Sequence, residues 1–456
     1  MITLDELASA IPGAQIHGRG DQCFESFSTD SRSLSAGALF FALSGEHFDG
    51  HAFIAQAIAK GASGLVVLET ADVPLPQLKV PDTRRALGAA AEVWRSRFAL
   101  PLIGVAGSNG KTTVTQMLAA ILAAEFGEER RLATLGNLNN DIGVPLTLFR
   151  LNKEHAAAAI EMGMNHPGEM AHLAQIARPS VALVNNAQRE HQEFMGTVEA
   201  TAYENGALIE ALEAEGRAVF PADDPCAPIW RELAGKRLCL DFGFETEAWL
   251  RARYAAEGSR MRLELAWESE RLDLSLGLSG RHQAHNAAAA ATAALAAGLS
   301  LPAIQRGLEG FAPVKGRGVL ETTDQGVRLI DDSYNANPDS VLAAIDLLSD
   351  FESPRILILG DMGEVGEEGP SFHEEVGRYA QRKGITFLLT LGEMSRFAAE
   401  AFGNPGGEHF ATLDDLTSRC QTLARPRATL LVKGSRFMKM ERVIQAMRVP
   451  RPEEQA

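Results

Sequence analysis

The sequence has few of the features that mark secreted, membrane-bound or zinc-binding proteins. Its four cysteines lie far apart and form no C-x-x-C pair, which fits a reducing compartment and offers no zinc site. No run of about 18 apolar residues is present, so no membrane insertion is predicted. The acidic start, residues 1–6, lacks the apolar segment of a signal peptide. We therefore expect a cytoplasmic protein.

The sequence also lacks an excess of basic residues. Its net charge is −16, from 59 acidic and 43 basic residues, which argues against a nucleic-acid surface and leaves an anionic small molecule as a ligand. An Asn-Lys-x-Asp guanine motif is absent too. This absence argues against a nucleotide switch of the GTPase type.

Short apolar runs alternate with helical periodicity along the 456 residues, and many of the runs end in polar loops. This alternation predicts an α/β fold with parallel, doubly wound sheets. Pro74, Pro76 and Pro81 suggest a linker. We predict a small α/β domain at 1–82, a central domain at 83–312 and a third, Rossmann-like domain at 313–456.

One glycine-rich stretch, Gly104–Thr113, organises the chain. It follows a short apolar strand and precedes a helix, which is the setting of a phosphate-binding loop. The first glycine of the usual spacing falls one place too early, so Gly107 is expected to take over its role. Lys111 would then reach the β- and γ-phosphates, and Thr112 would bind Mg²⁺. The alternative is a structural turn between strand and helix.

Polar residues follow two further apolar strands of the central domain. Glu161 ends the strand at 156–160 and is predicted to bind Mg²⁺, although an acid at a helix start is the alternative. His191 follows the strand at 179–184, and an asparagine-rich loop covers 137–145. Because ligands bind at the carboxyl edge of open α/β sheets, we expect these residues at one edge.

Two other polar clusters each admit two interpretations. Residues 280–286 are predicted to cap an alanine-rich helix at 287–297, and Asn286 either contacts a nucleotide base or only caps the helix. Arg32 and His47 lie in polar turns, where they meet an anionic ligand or are simply solvated. The tail from Pro450 is polar and is expected to be loosely ordered.

These motifs follow one another in a specific order. They are Ser28–Arg32 with Phe48–His51, Gly107–Thr113, Asn137–Pro145, Glu161–Glu169, Asn185–Asn186 with His191, Gly280–Asn286, Asp331–Pro338, Gly360–Glu364 and Lys433–Arg436. In this order the chain resembles the Mur ligase family. Within that family it resembles the ligases that add D-alanyl-D-alanine to UDP-N-acetylmuramoyl-tripeptide. The resemblance covers essentially the whole chain.

The resemblance implies a uridine-nucleotide domain, a central ATPase and a third domain that closes over the site, with ATP and Mg²⁺ as cofactors. The residues that it implies for ATP are Gly107, Ser108, Asn109, Gly110, Lys111, Thr112, Thr113, Asn286, Arg317, Asp332 and Asn335. For the UDP substrate and the dipeptide they are Ser31, Arg32, Asn140, Asp361, Lys433 and Arg436. The expected metal ligands are Thr112, Glu161, His191 and Glu204, and the expected catalytic residues are Lys111, Glu161, His191 and Glu204.

The implied reaction forms a peptide bond. ATP first phosphorylates the peptide carboxylate to an acyl phosphate, and the amine of D-alanyl-D-alanine then displaces the phosphate. Lys111 and two Mg²⁺ ions would neutralise the charge on the transferred group, and domain closure would keep water out. We expect a monomer.

Glu204 marks a departure from the family. Most Mur ligases carry a lysine here, in an Ala-Lys-Gly-Glu-like run, and its carbamate binds a second Mg²⁺, whereas this chain reads Ala202–Gly206. Glu204 falls on the helix stripe of Ala200, Leu208 and Leu212, where an unpaired carboxylate is costly. We therefore expect Glu204 to be a ready-made metal ligand. A solvent-facing helix glutamate is the alternative.

Two related ligases are rivals to this interpretation. The enzyme that adds the third stem-peptide residue carries, in its diaminopimelate form, an Asp-Asn-Pro-Arg signature that is absent here. Folylpolyglutamate synthetase shares the ATPase domain but lacks a uridine domain. The sequence leaves open whether the third residue of the tripeptide is diaminopimelate or lysine.

Overall fold

The fold is described from a computed structural model, which covers residues 1–45, 48–257 and 260–448. His47 and the tail from Pro450 lie outside the described residues, so both of those predictions stay predictions. The chain forms three large sheets of five, nine and six strands. Helices pack on these mostly parallel sheets, which confirms the predicted α/β class.

The N-terminal domain is a small α/β unit. Its elements are β1 (Ile2–Thr3), α1 (Leu4–Ala10), β2 (Gln15–His17), β3 (Cys23–Phe24), β4 (Phe27–Ser28), β5 (Leu39–Phe41), β6 (Ser44–Gly45), β7 (Phe48–Asp49), α2 (Ile54–Ala59), β8 (Gly64–Val67), β9 (Gln77–Lys79) and α3 (Thr83–Arg95). The five-stranded sheet has the order β2-β9-β8-β5-β4. Only β2 runs antiparallel to its neighbour in this sheet.

The predicted linker contains a strand, which corrects that prediction. β9 pairs with β8 on one side and with β2 on the other, so it lies inside the sheet. The three prolines flank β9 and do not interrupt it, and the ladder therefore loses no backbone donor. The side chain of Asp82 then caps α3 by accepting from the backbone N–H groups of Arg84 and Arg85.

The central domain is built on the nine-stranded sheet. Its elements are β10 (Leu102–Ala106), α4 (Lys111–Phe126), β11 (Arg131–Ala133), α5 (Gly143–Leu148), β12 (Ala157–Glu161), α6 (Glu169–Ala177), β13 (Val181–Val184), α7 (Gln192–Met195), α8 (Val198–Glu210), β14 (Arg217–Pro221), α9 (Ala227–Ala234), β15 (Leu238–Gly243), β16 (Leu250–Glu257), β17 (Arg260–Trp267), β18 (Glu270–Leu276), α10 (Arg281–Ala296) and α11 (Leu301–Glu309). The order is β11-β12-β10-β13-β14-β15-β16-β17-β18, and the last two pairs are antiparallel.

Both faces of this sheet are covered by helices. Leu102 and Ala106 of β10 pack in one apolar cluster with residues of α3, α6 and α8, whereas Ile103 and Val105 pack in another with α4 and α10. Successive residues of a strand point to opposite faces. The unbroken apolar run before the phosphate loop therefore reflects burial on both sides.

The alanine-rich helix begins earlier than predicted. Gly280, with φ +93°, is the N-cap of α10, so the polar residues after it form the first helical turns. Asn286 consequently lies inside the helix and does not cap it. His282 and Asn286 line a cleft at this end of the helix. Because the first turns are polar, the sequence pattern alone places the start of the helix too late.

The C-terminal domain is built on the six-stranded sheet. Its elements are β19 (Val319–Thr322), β20 (Arg328–Asp332), α12 (Pro338–Ser349), β21 (Arg355–Gly360), α13 (Gly369–Arg382), β22 (Phe387–Leu391), α14 (Ser395–Phe402), β23 (Gly407–Phe410), α15 (Leu413–Leu423), β24 (Thr429–Lys433) and α16 (Glu441–Arg448). The order is β19-β20-β24-β21-β22-β23, with only β19 antiparallel to its neighbour in this sheet.

The carboxyl ends of strands from two domains meet at one cleft. β10 and β12 deliver the phosphate loop and Glu161 from the central domain, while β20 and β24 deliver Asp332 and Lys433 from the C-terminal domain. In the described ranges, no helix is long and apolar enough to cross a bilayer.

Candidate active site

The phosphate loop adopts a backbone that requires glycine. Gly107 and Gly110 have φ values of +127° and +83°. A Cβ at Gly107 would lie 2.9 Å from the backbone N of Asn185, and one at Gly110 would lie 2.3 Å from Oδ1 of Asn286. The strand–loop–helix context predicted from the sequence is confirmed, and the left-handed glycines shape the turn between them.

Lys111 begins α4 and folds back over the loop. Its Nζ donates to the backbone oxygens of Gly107 (2.6 Å) and Ser108 (3.0 Å). It also forms an ion pair with Oε1 of Glu190 at 2.8 Å. The ammonium group is thus held at the loop by three bonds.

Asparagine side chains support the loop from the neighbouring strand and helix. Asn186 accepts from the backbone N of Asn109 at 2.8 Å. The Asn185 amide donates to the Asn109 oxygen at 2.7 Å and to Oδ1 of Asn286 at 3.0 Å. The polar residues after β13 therefore fix the loop backbone.

Asn205 on α8 also contacts the loop, and the sequence analysis did not single it out. Its Oδ1 accepts from the backbone N of Gly107 at 3.0 Å. The residue is 1% exposed, and its Nδ2 has no hydrogen-bond partner within the described ranges. The sequence did contain a clue to Asn205. If the glycine of the family's Ala-Lys-Gly-Glu-like segment is aligned with Gly206, the family's lysine aligns with Asn205 and not with Glu204.

Glu161 ends β12 as predicted and is 2% exposed. Its Oε1 accepts from Nδ2 of Asn139 at 2.7 Å, while Oε2 is buried with no hydrogen-bond partner among the residues that the structure describes. A buried carboxylate oxygen is costly without a partner, so this atom fits a metal ligand. Over the same residues there is no cluster of three or more acidic, histidine or cysteine side chains that would form a cage. Mg²⁺ commonly binds through one or two carboxylates plus substrate phosphates.

His191 lies between two carboxylates. Its Nδ1 is 2.6 Å from Glu364 of the C-terminal domain, and its Nε2 is 3.5 Å from Glu190. Burial opposes the charged ring, but the neighbouring carboxylates of Glu190 and Glu364 outweigh it and raise the pKa of His191 to about 9. An imidazolium has no lone pair for a metal. To bind a metal as predicted, His191 would have to lose a proton and move one ring nitrogen away from its neighbouring carboxylate.

A cluster of charges joins the central and C-terminal domains next to His191. The Arg189 guanidinium donates to Asp339 of α12 at 2.7 Å and to Glu375 of α13 at 2.6 Å. The backbone N of Arg189 also donates to Asp339 at 2.8 Å. These bonds hold the two domains together across the cleft.

The cleft has a volume of about 2010 Å³. Its wall contains most of the predicted site residues, namely Ser108, Asn109, Gly110, Lys111, Thr112, Thr113, Asn140, Glu161, His191, Asn286, Arg317, Asp332, Asn335 and Lys433. From the C-terminal side, Lys433 forms an ion pair with Asp332 at 2.5 Å and donates to the oxygen of Asn335 at 3.1 Å. The Arg317 guanidinium lies 4.2 Å above the ring of Tyr334.

Several other predicted residues lie outside the described wall of this cleft. Ser31 is buried and donates to Gln56, and the Arg32 side chain is 80% exposed and pairs with Asp30. The pKa of Asp30 falls to about 2, chiefly because Arg32 donates to its carboxylate. Arg436 pairs with Glu441 at 2.9 Å.

Asp361 lies outside the described wall of the cleft and is bound by backbone groups. Its carboxylate accepts from the backbone N–H groups of Glu393, Met394 and Ser395 at 2.7 to 3.1 Å. The three donors lie at the start of α14, so Asp361 stabilises the N-terminus of that helix. The dipeptide role predicted for Asp361 would require the carboxylate to exchange these partners, and it stays a prediction.

The structure gives Glu204 hydrogen-bond partners that the sequence did not predict. Its carboxylate accepts from the backbone N–H groups of Gly168 and Met170 at 2.9 and 2.8 Å. These donors lie at the start of α6, where a carboxylate is stabilised by the exposed N–H groups and the helix dipole. Glu204 is therefore not the unpaired carboxylate that the helix stripe predicted, whereas Asn205 is the α8 residue that contacts the phosphate loop. The role of Glu204 as a metal ligand stays a prediction.

Replacing Glu204 with alanine tests this role. We expect a lower melting temperature, because losing a helix cap costs about 1 kcal/mol. The Mg²⁺ dependence of nucleotide binding should stay unchanged. Thermal unfolding and an ADP titration at several Mg²⁺ concentrations measure the two effects, with Glu210→Ala, exposed on the same helix, as the control. A raised Mg²⁺ requirement in Glu204→Ala would instead show that Glu204 contributes to metal binding.

Replacing Arg189 with alanine should open the cleft. The change removes the partner of two carboxylates that belong to the other domain, and losing one side of a partly buried charge pair costs about 2 kcal/mol or more. Small-angle X-ray scattering is expected to give a larger radius of gyration. Arg271→Ala removes an exposed ion pair within one hairpin and should leave the radius as it is. Equal radii for both variants would mean that Arg189 does not hold the domains together.

Together these features define a class of protein. It is a three-domain α/β protein in which a phosphate-binding loop of the central domain faces charged residues of a C-terminal domain across one cleft.

Family models confirm and narrow that class. The Mur ligase middle domain matches residues 105–294, the Mur ligase glutamate ligase domain matches residues 316–436, and the Mur ligase family catalytic domain matches residues 24–95. The chain belongs to the Mur ligase family.

Similar proteins include a curated Escherichia coli (strain K12) protein, UDP-N-acetylmuramoyl-tripeptide–D-alanyl-D-alanine ligase. It is 38% identical, over 98% of each chain. A solved structure of MurF from Acinetobacter baumannii has a TM-score of 0.91 at 32% identity, over 98% of each chain. MurF ligase from Thermotoga maritima, solved in complex with ADP, has a TM-score of 0.83 at 25% identity, over 94% of this chain and 98% of its own.

Proposed function

We propose that this protein is an ATP-dependent ligase that adds D-alanyl-D-alanine to UDP-N-acetylmuramoyl-tripeptide. The product is the pentapeptide precursor of peptidoglycan. The observation that carries the proposal is the cleft in which Lys111 of the phosphate loop faces Asp332 and Lys433 of another domain. The likeness over nearly the whole chain to ligases named for this reaction supports it.

ATP is assigned to the part of the cleft around the phosphate loop. The backbone N–H groups at the start of α4 and the Lys111 ammonium are suited to phosphate oxygens. Asn286 lies beside the loop, while Arg317, Asp332 and Asn335 approach from the C-terminal domain. The ADP complex of the Thermotoga maritima enzyme supports a nucleotide in such a protein.

Mg²⁺ is assigned to Thr112 and Glu161. The buried Oε2 of Glu161 offers a negative oxygen at the end of β12, and Thr112 offers a hydroxyl at the start of α4. When bound, the ion would neutralise phosphate charge during transfer. Glu161 itself is held by Asn139, so its orientation is set before any metal arrives.

The remaining roles follow the domain arrangement. Ser31 and Arg32 of the N-terminal domain are proposed for the UDP part of the substrate, and Arg32 needs only to exchange Asp30 for a phosphate. Asn140 is proposed for the peptide. Lys433 and Arg436 are proposed for the D-alanyl-D-alanine end.

The chemistry needs an activated carboxylate and a dry site. Lys111 would stabilise charge as phosphate is transferred to the peptide carboxylate, and Lys433 would orient the carboxyl group of the attacking dipeptide. The contacts of Arg189 and His191 with the C-terminal domain would hold that domain against the central domain during the reaction, which would limit hydrolysis of the acyl phosphate by water. We propose domain boundaries near residues 82 and 312, a monomer and a cytoplasmic location.

Phosphate release tests the proposal. Release should require UDP-N-acetylmuramoyl-tripeptide, D-alanyl-D-alanine, ATP and Mg²⁺ together, because the reacting groups come from two domains. Omitting any one component is expected to reduce release to background. Equal release from ATP alone would contradict the ligase function, and release with a dipeptide substrate and a single amino acid would favour the ligase that adds the third residue.

A further inference from the structure

Glu190 lies in the wall of the cleft but is not among the residues proposed to bind nucleotide, substrate or metal. Its carboxylate pairs with Lys111 at 2.8 Å, and each of the two side chains is 13% exposed. An ion pair so shielded from water is screened much less than a surface pair. The pairing therefore bears directly on what Lys111 can bind.

The three bonds of Lys111 already use all three of its ammonium donors. Two of the acceptors are neutral backbone oxygens of the loop itself, and their positions are set by the loop. The third acceptor is a charged side chain on a different segment. A phosphate that approaches Lys111 must displace one of the three. Glu190 is the partner that is negatively charged and that carries its oxygens on a side chain, not on the backbone of the loop.

We propose that Glu190 is a positioning residue, a counter-ion of Lys111 that the nucleotide phosphates displace and that thereby lowers the affinity of the site for nucleotide. It holds the lysine at the loop in the nucleotide-free protein. When phosphate binds, the carboxylate leaves Nζ and phosphate takes its place. This inference rests on the proposed nucleotide site.

The surroundings of Glu190 permit this exchange. Nε2 of His191 lies 3.5 Å from the same carboxylate oxygen, so the carboxylate keeps a second nitrogen neighbour after it leaves Lys111. Gln188, two residues earlier, accepts from Nδ2 of Asn109 at 2.6 Å. Arg189, directly before Glu190, binds the C-terminal domain. Movement of Glu190 therefore occurs in a segment that contacts both the loop and the other domain.

Replacing Glu190 with glutamine distinguishes a counter-ion that competes with phosphate from a purely structural ion pair and from a metal ligand. The change removes the charge that competes with phosphate, so the Kd for ADP without Mg²⁺ is expected to fall on the order of tenfold. The protein without nucleotide should melt at a lower temperature, since Lys111 loses its counter-ion, and ADP should restore more of that loss than in the parent. The KM for ATP should fall, and kcat should fall as well because ADP leaves more slowly.

Two further variants complete the experiment. Glu190→Asp keeps the charge on a shorter side chain and is expected to return the Kd towards the parental value. Glu210→Gln, exposed at the end of α8, is the matched control and should change neither Kd nor stability. Calorimetric titration with ADP, with and without Mg²⁺, and thermal unfolding provide the measurements.

The outcomes separate the alternatives. Lower stability with an unchanged Kd would show a purely structural ion pair and overturn the proposal. Weaker binding only when Mg²⁺ is present would show a metal ligand and overturn it as well. If the parent and all variants fail to bind ADP, the proposed nucleotide site is wrong, a result distinct from both others.

Discussion

Replacing Lys111 with alanine is expected to lower ligase turnover on the order of 10²-fold or more while the protein stays folded. The ammonium group lies at the loop, where the β- and γ-phosphates are proposed to bind. Its charge would stabilise the transition state most, because negative charge shifts during phosphate transfer. Because such an interaction is stronger in the transition state than in the bound state, kcat should fall more than KM rises. Steady-state phosphate release with all substrates measures both constants.

Lys111→Ala could lower turnover either by removing the ammonium group from the reaction or by destabilising the protein. Lys111→Ala leaves Glu190 as a partly buried carboxylate without its closest cation, which by itself is destabilising. The double variant Lys111→Ala/Glu190→Gln removes that burden and should regain stability but not turnover. Lys153→Ala, exposed in the same domain, is the control for charge. Near-normal turnover in Lys111→Ala would mean that the loop is a structural turn.

The sequence predicts the site where it depends on local patterns. A strand, a glycine-rich turn and a helix specify the phosphate loop, and the position of Glu161 follows from its place at the end of an apolar strand. Since parallel strands of one sheet end at the same edge, these two features meet without any knowledge of the third dimension. The residues of the central domain that the family resemblance implies line the same cleft largely for this reason.

Contacts between distant segments could not be predicted in this way. Arg189 reaches Asp339 and Glu375, and Glu190 reaches Lys111, across large separations in the chain. Arg189 and Glu190 lie in a stretch whose sequence is typical of an ordinary polar loop. Which residues they contact depends on how the domains pack. The prediction of a linker from Pro74, Pro76 and Pro81 was wrong for a related reason. Prolines that flank a short strand give the same sequence pattern as prolines in a linker.

The partners of Glu204, which the sequence did not predict, follow from helix geometry. Neighbouring residues on a helix point about 100° apart, so an alignment shifted by one residue moves a side chain to another face. Glu204 consequently meets the start of α6, while Asn205 meets Gly107 of the phosphate loop. A helix stripe identifies a buried face, but it does not say which neighbouring element lies against that face.

Replacing Glu161 with glutamine is expected to give the second large loss. Glutamine has the same shape and can keep the hydrogen bond with Asn139, so the fold should be preserved. What disappears is the negative charge on the buried Oε2 atom, which has no hydrogen-bond partner in the part of the chain that the structure describes. We expect turnover to fall on the order of 10²-fold and the Mg²⁺ concentration for half-maximal rate to rise about tenfold or more.

A direct binding measurement distinguishes a metal ligand from other roles of Glu161. Mg²⁺ should strengthen ADP binding in the parent and do so much less in Glu161→Gln, while ADP binding without metal stays the same or becomes tighter because a negative charge is gone. Glu210→Gln, exposed on α8, should behave as the parent. If Mg²⁺ strengthens ADP binding equally in Glu161→Gln and in the parent, the buried carboxylate does not bind the metal. A loss of turnover would then have to come from the position of Asn139 and its loop.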